Sequence, residues 1–279
     1  MSHFLYKYLP LNNTQDVERA LNYLNGYVYF STPRSFNDPF ELKATIKAPT
    51  KSDIHSFFEG KPEIQHLQNK SIERKVKNNV ELQFARESAT IASDEWLNEI
   101  GILCLAESPK NLLMWAHYGS NHTGMCIGFD RAEKPFSTMK KVKYGSNRPS
   151  LPFEAYKYLN QEHIENIFFH KSKEWEYESE WRGIKRIIRE NEKQYYKELF
   201  AEDPEKADEI VEVLSENGGP GNYEYDTTAI RRIYFGCRIK DENKMTILNH
   251  IKSNELNPKL YQFSIDTKHY DLTIEKLQA

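Results

Sequence analysis

Cysteine is scarce: Cys104, Cys126 and Cys237 are the only three, and they lie far apart. No CxxC pair and no Cys/His cluster has zinc spacing, which argues against a disulfide framework and a structural zinc site; no resident metal is expected. No apolar run approaches the ~18 residues of a membrane span, and MSHFLYKYLP lacks the apolar stretch of a secretory signal. The expectation is a soluble cytoplasmic protein without a membrane partner. A Walker A loop, a GxGxxG turn after a strand, a GxSxG elbow and a kinase HRD are also absent, which counts against most nucleotide-dependent and acyl-transfer classes. There is no internal repeat and no long low-complexity tract. The formal net charge of −3 offers no global basic field to attract nucleic acid, though it leaves room for a local basic groove.

What the chain does have is apolar and aromatic mass. At 279 residues and 39% hydrophobic it can bury a substantial core. Its 17 Tyr, 15 Phe and 4 Trp concentrate in segments that read as strands, where flat side chains suit β packing or a pocket for a planar ligand. HFLYKYL alternates as a first strand does. NTQDVERALNYLNG reads as a helix capped by Asn13 or Thr14 and ended at Gly26. YVYF, ILCLAES, MCIGFD, KKVKYG, AIRRIYFG, LYQFSID and YDLTIEKL read as further strands, and LPFEAYKYLNQEHIENIFFHKS and DENKMTILNHIKSNE as helices. This order is not the regular alternation of a doubly wound sheet. It predicts an α+β fold of antiparallel sheets with peripheral helices: one domain over 1–279, with helical insertions at about 52–99 and 190–217.

Three clusters can carry chemistry. In KSKEWEYESEWRGIK, Glu174, Glu176, Glu178 and Glu180 alternate with Trp175, Tyr177, Ser179 and Trp181. As a strand, this segment turns all four carboxylates to one side at steps of ~7 Å. Such a row suits a solvated edge that deters aggregation or an enclosed site; Glu178 and Glu180, nearer the apolar end at Ile184 and Ile187, fit the second better. In NLLMWAHYGSNHTGMCIGFD, His117, Tyr118 and His122 fall within six residues but lack the HExxH pattern of a zinc hydrolase. In YFSTPRSFNDPFE, Ser31, Thr32, Arg34, Asn37 and Asp38 gather hydroxyl, guanidinium, amide and carboxylate groups on one loop, suited to sugar hydroxyls or phosphate. The same Asn-Asp-Pro also makes a turn that Asp38 closes through its own backbone.

At these places the chain resembles an uncharacterised bacterial family, one of the numbered domains of unknown function, with FNDPF, MWxHYxxxHxGxCxxFD and KxxxWxxExEWR in that order. The resemblance runs from Tyr6 to about Gly236. More remotely, the opening strand, the helix, the YFSxP strand with its Arg-bearing loop and the late ExE segment resemble the ADP-ribosyltransferase fold, closest in style to DarT-type enzymes that modify nucleic acid. That resemblance implies two antiparallel sheets splayed around a cleft, NAD as substrate and a late-strand catalytic glutamate. It implies Glu180 on the ribose hydroxyl and Glu178 on the acceptor side, though the two roles are exchangeable. Arg34 would meet the pyrophosphate, with Ser31 and Asn37 on the same loop. Tyr118 or Tyr29 would stack on nicotinamide, and His117 would touch either ligand. Tyr6, Lys7 and Tyr8 stand where many such enzymes carry His or Arg, and Tyr6 and Lys7 are the implied NAD contacts of that strand. The chemistry is consistent: losing nicotinamide builds positive charge on the ribose, as in glycoside hydrolysis, and a fixed carboxylate stabilises it. The implied role is a bacterial toxin or phage-defence effector with a nucleic-acid or protein acceptor and an antitoxin or immunity partner. For a nucleic-acid acceptor, KKVKYGSNRP and IRRIYFGCRIK are basic stretches able to border its groove.

Two other classes compete. A metal-dependent nuclease would need carboxylates such as Glu180, Asp38 and Asp130 to converge on Mg²⁺. A non-catalytic module would bind a nucleotide or partner through the aromatic and polar cluster.

Overall fold

The computed structural model describes residues 3–47, 50, 52, 98–152, 161–187, 190–216 and 218–278. The insertion expected at about 52–99 falls almost wholly outside the described residues. Along the chain, β1 (Phe4–Leu9), α1 (Thr14–Leu24) and β2 (Tyr27–Phe30) are followed by β3 (Thr45–Ile46), β4 (Ile100–Ala106), α2 (Leu112–His117), β5 (Met125–Asp130), β6 (Lys140–Lys141), β7 (Lys143–Gly145) and β8 (Ser150–Leu151). Then come α3 (Gln161–Phe168), β9 (His170–Ser172), β10 (Glu180–Arg186), α4 (Glu190–Leu199), α5 (Pro204–Glu216), β11 (Gly221–Glu224), β12 (Ile230–Phe235), α6 (Asp241–Ser253), β13 (Lys259–Ile265) and β14 (Leu272–Lys276). They belong to two compact units: Met1–Ser35 with Asn98–Val142 and Glu174–Ala279, and Phe36–Leu97 with Lys143–Lys173.

The first unit is α+β, built on an eight-stranded sheet ordered β14-β13-β12-β5-β1-β4-β10-β6, with β11-β2 as a separate pair. The sheet is mixed, which corrects the expectation of purely antiparallel sheets: β12 and β13 run parallel, Arg232 opposite Lys259. The 13 residues of α6 carry the chain back to the end where β12 began, the kind of crossover a parallel pair needs.

Alternation along the strands divides side chains between two faces. One face presents Leu5, Leu9, Leu103, Leu105, Ile127, Phe129 and Ile233 to Ala20, Tyr23 and Leu24 of α1 and to Ile247 and Ile251 of α6. Helix α1 starts where the Asn13 side chain accepts from the Asp16 amide at 2.9 Å. It gives way to β2 at Gly26, whose φ of 89° suits glycine and where a Cβ would stand 2.8 Å from the Tyr225 carbonyl. The other face carries Tyr6, Tyr8, Ala106, Cys126 and Tyr234 beneath Met114 and Trp115 of α2.

Strand β4 changes neighbours along one edge. It pairs with β1 at Ala106, opposite Tyr6. Four residues earlier its partner is Ser31, which exchanges two backbone hydrogen bonds with Ile102, at 2.9 and 2.8 Å. The Cys104 carbonyl, between these two pairings, accepts from the Lys7 ammonium at 3.1 Å.

The second unit contains two short parallel pairs, β3–β8 and β7–β9, and helix α3. Inside it Lys171 meets Glu41 at 3.8 Å, with side chains only 4% and 2% exposed. KKVKYG, expected as one strand, is two: Lys140–Lys141 lies antiparallel to β10, and Lys143–Gly145 lies parallel to β9.

Candidate functional site

The late acidic segment differs from its expected form. Lys173–Glu178 is a 3-10 helix, and the strand begins only at Glu180. With three residues per turn, Glu178 falls on the side of Trp175, whereas Glu174 and Glu176 turn elsewhere. Ser179 then takes a φ of 45°, the left-handed region, and reverses the path into β10. The four glutamates therefore do not form one row. Glu174 and Glu176 are exposed, while Glu178 and Glu180 are each 4% exposed.

Each inner carboxylate has a defined partner. The Tyr118 hydroxyl donates to Glu178 Oε1 at 2.6 Å. Arg182 grips Glu180 through both oxygens, Nε to Oε1 at 2.7 Å and a terminal nitrogen to Oε2 at 3.0 Å. The two lie at i and i+2 on β10, so their side chains share a face, and the Arg182 side chain is fully buried. A two-point contact of this kind fixes the orientation of the carboxylate.

Asn111 ties the surrounding segments together. Its Oδ1 accepts from the amides of Leu113 and Met114, at 2.9 and 3.1 Å, and starts α2. Its Nδ2 donates to the Tyr177 carbonyl at 2.7 Å, which anchors the 3-10 segment. Helix α2 buries Met114 and Trp115, whose indole donates to the Pro109 carbonyl at 2.8 Å, and leaves His117 exposed with its ring centre 6.3 Å from that of Tyr177. Beyond it, Ser120, Asn121 and His122 are all left-handed, with φ of 51°, 53° and 70°. His122 stacks on Trp115 and keeps a buried Nδ1 without a hydrogen-bond partner. Burial, helped by the nearby Arg238, lowers the His122 pKa.

Register places several of the expected residues together. Tyr6 and Glu180 flank Ala106 from opposite edges of β4, so all three side chains share one face. Burial raises the Tyr6 hydroxyl above the ordinary phenol range, against a lowering by Arg232. Lys7 alternates to the other side of β1 and is engaged at the fork with Cys104. Ser31 is bound to Ile102, about 13 Å along β4 from Ala106. Arg34 is exposed in the 3-10 turn Pro33–Ser35. Asn37 and Asp38 belong to the second unit, where Asn37 is exposed and Asp38 accepts from the Phe40 amide at 2.8 Å, closing a turn.

Two structural partners were missed in the sequence. Arg182 was detectable from E-x-R spacing on a strand, and Asn111 from its place ahead of the apolar run LLMW. Among the described residues, no group of three or more His, Cys, Asp or Glu is placed to hold a metal ion. Asp130 lies three strands from Glu180, about 14 Å across the sheet, and already binds Arg231 at 3.2 Å. A depression of about 370 Å³ is lined by Asp241, Lys244, Met245, Leu248, Leu260, Leu277 and Gln278, and includes none of the inner carboxylates. No helix among the described residues is long and apolar enough to cross a membrane.

Two buried carboxylates, Glu178 at the end of the 3-10 segment and Glu180 at the start of β10, thus define the candidate site of this α+β unit. Residues 114–183, about a quarter of the chain, match the model of a family described as "Protein of unknown function (DUF2971)". The match begins at Met114 of MWAHY and ends at Gly183 of EWRG, so it takes in α2 from Met114 on, the left-handed turn, β5 and both inner glutamates. No curated protein and no solved structure matches the chain significantly.

Proposed function

We propose that the chain is an ADP-ribosyltransferase-like enzyme that cleaves the nicotinamide–ribose bond of NAD and passes ADP-ribose to a nucleic acid or protein, as a toxin or defence effector. The observation that supports this reading most is that Glu178, bound by Tyr118, and Glu180, in register with Tyr6 of the first strand, are both buried. In this reading Glu180, held at two points by Arg182, is the preorganised carboxylate for the ribose. Glu178 acts on the acceptor, with its proton path through the Tyr118 hydroxyl. Through that hydroxyl contact Tyr118 also orients Glu178, and Tyr118 or Tyr29 stacks on nicotinamide. Ser31, Arg34, Lys7 and His117 of the first unit remain candidate NAD contacts, Arg34 at the pyrophosphate.

The test is product analysis of the full chain incubated with NAD, nucleic acid and lysate protein. Release of nicotinamide with a mass increase on an acceptor is the expected result; NAD left intact would refute the reading.

One observation favours a second reading. The bidentate Glu180–Arg182 pair and the Glu178–Tyr118 bond also suffice to pin the 3-10 segment to the sheet, so the carboxylates serve equally as struts of a nucleotide- or partner-binding module. Saturable nucleotide binding without any product would select it. The nuclease reading is weaker, because Asp130 does not converge with Glu180.

A further inference from the structure

The far end of the same sheet row carries a second polar cluster. Arg232, Gly128, Tyr6, Ala106 and Glu180 are in register across five strands, which sets Arg232 about 19 Å from Glu180. The register of β12 skips between Ile230 and Arg232, so Arg231 is the extra residue of a bulge. Arg231 takes the carboxylate of Asp130, at 3.2 Å. Arg232 makes no ion pair among the described residues. The ring of Phe4 lies 4.1 Å from its guanidinium carbon, and the phenols of Tyr6 and Tyr234 are its polar neighbours.

Burial raises both phenols above their ordinary value, so at neutral pH they are uncharged and neutralise nothing. Directly across the parallel pair from Arg232 is Lys259, exposed and likewise without an ion pair among the described residues. Like charges at register positions on neighbouring strands are destabilising, a cost that a bound anion relieves. Arg232 is half-buried, with Phe4 covering one part of it. A guanidinium so placed suits the forked recognition of an oxyanion.

We infer that Arg232 and Lys259 form an oxyanion site that takes a phosphoryl group, from free phosphate or from the 5′-phosphate of a nucleotide. The site stands whether or not the chain cleaves NAD, because neither inner glutamate belongs to it.

Isothermal titration of the full chain with potassium phosphate and, separately, with adenosine 5′-monophosphate at fixed ionic strength tests it. Saturable binding is expected, weakened about tenfold or more in Arg232→Gln and by a few-fold, about threefold, in Lys259→Gln. Equal affinity for the two ligands means the free phosphoryl group is what is read; tighter binding of the monophosphate means a nucleotide. Lys259 is exposed, so its variant remains informative if Arg232→Gln misfolds. No saturable binding by the wild type, or wild-type affinity in the folded variants, would overturn the proposal.

Discussion

The outer and inner halves of one acidic segment make the sharpest contrast in the molecule. Glu174 and Glu176 face water, whereas Glu178 and Glu180, the same residue type a few positions on, are 4% exposed and hydrogen-bonded to Tyr118 and Arg182. Composition does not separate them. A change of backbone does, from three residues per turn to two, made at the left-handed Ser179. Carboxylates become candidates for chemistry where the main chain turns them from water toward fixed donors.

The largest effect that sharpens this contrast should come from Arg182→Met. It leaves Glu180 as a buried charge without its principal partner and should cost about 3–5 kcal/mol in urea unfolding. Pairing it with Glu180→Met should recover most of that loss, since well-packed apolar side chains often replace a buried ion pair at little cost. A double variant as unstable as the single one would break the account of the pair. Next comes Tyr118→Phe, which removes a hydrogen bond to a buried carboxylate. It should lower stability by about 1.5–3 kcal/mol, read from the same urea transition.

The histidines show a parallel division. His117 is exposed, while His122 has its pKa lowered by burial. Below the ordinary imidazole value of 6.5 the unfolded chain takes up a proton that folded His122 resists, so the wild type should lose stability as pH falls through that region. Asparagine tolerates the left-handed backbone at this position. Urea midpoints at about pH 7.5 and 5.5 should therefore differ less in His122→Asn than in the wild type. The smallest effect belongs to Glu176→Gln, which should stay within about 0.5 kcal/mol of wild type.

Much of the first unit was legible in the sequence. The alternation of HFLYKYL, the Asn13 cap and the apolar runs ILCLA and MCIGF mark elements whose burial is set by local pattern. The parallel β12–β13 pair was not legible, because direction depends on where α6 returns the chain, and nothing within either strand records that. EWEYESEW misled for a related reason. Alternation of charged and aromatic residues has a period of two as a strand, but the anchor that holds it as a 3-10 turn is Asn111, 66 residues away from the Tyr177 carbonyl it grips. At the candidate site, the burial of Glu178 and Glu180 goes with the apolar end of their segment, whereas the opposite facing of Tyr6 and Lys7 follows from their adjacency on β1.

Nicotinamide release from NAD by wild type, Glu178→Gln, Glu180→Gln and Glu176→Gln, each shown to be folded, tests the central claim most directly. Expected is turnover by the wild type and by Glu176→Gln, with a loss of about a hundredfold or more in at least one inner variant, the scale of removing a preorganised polar group. Turnover in both inner variants equal to wild type, or no turnover in any of the four, would contradict it.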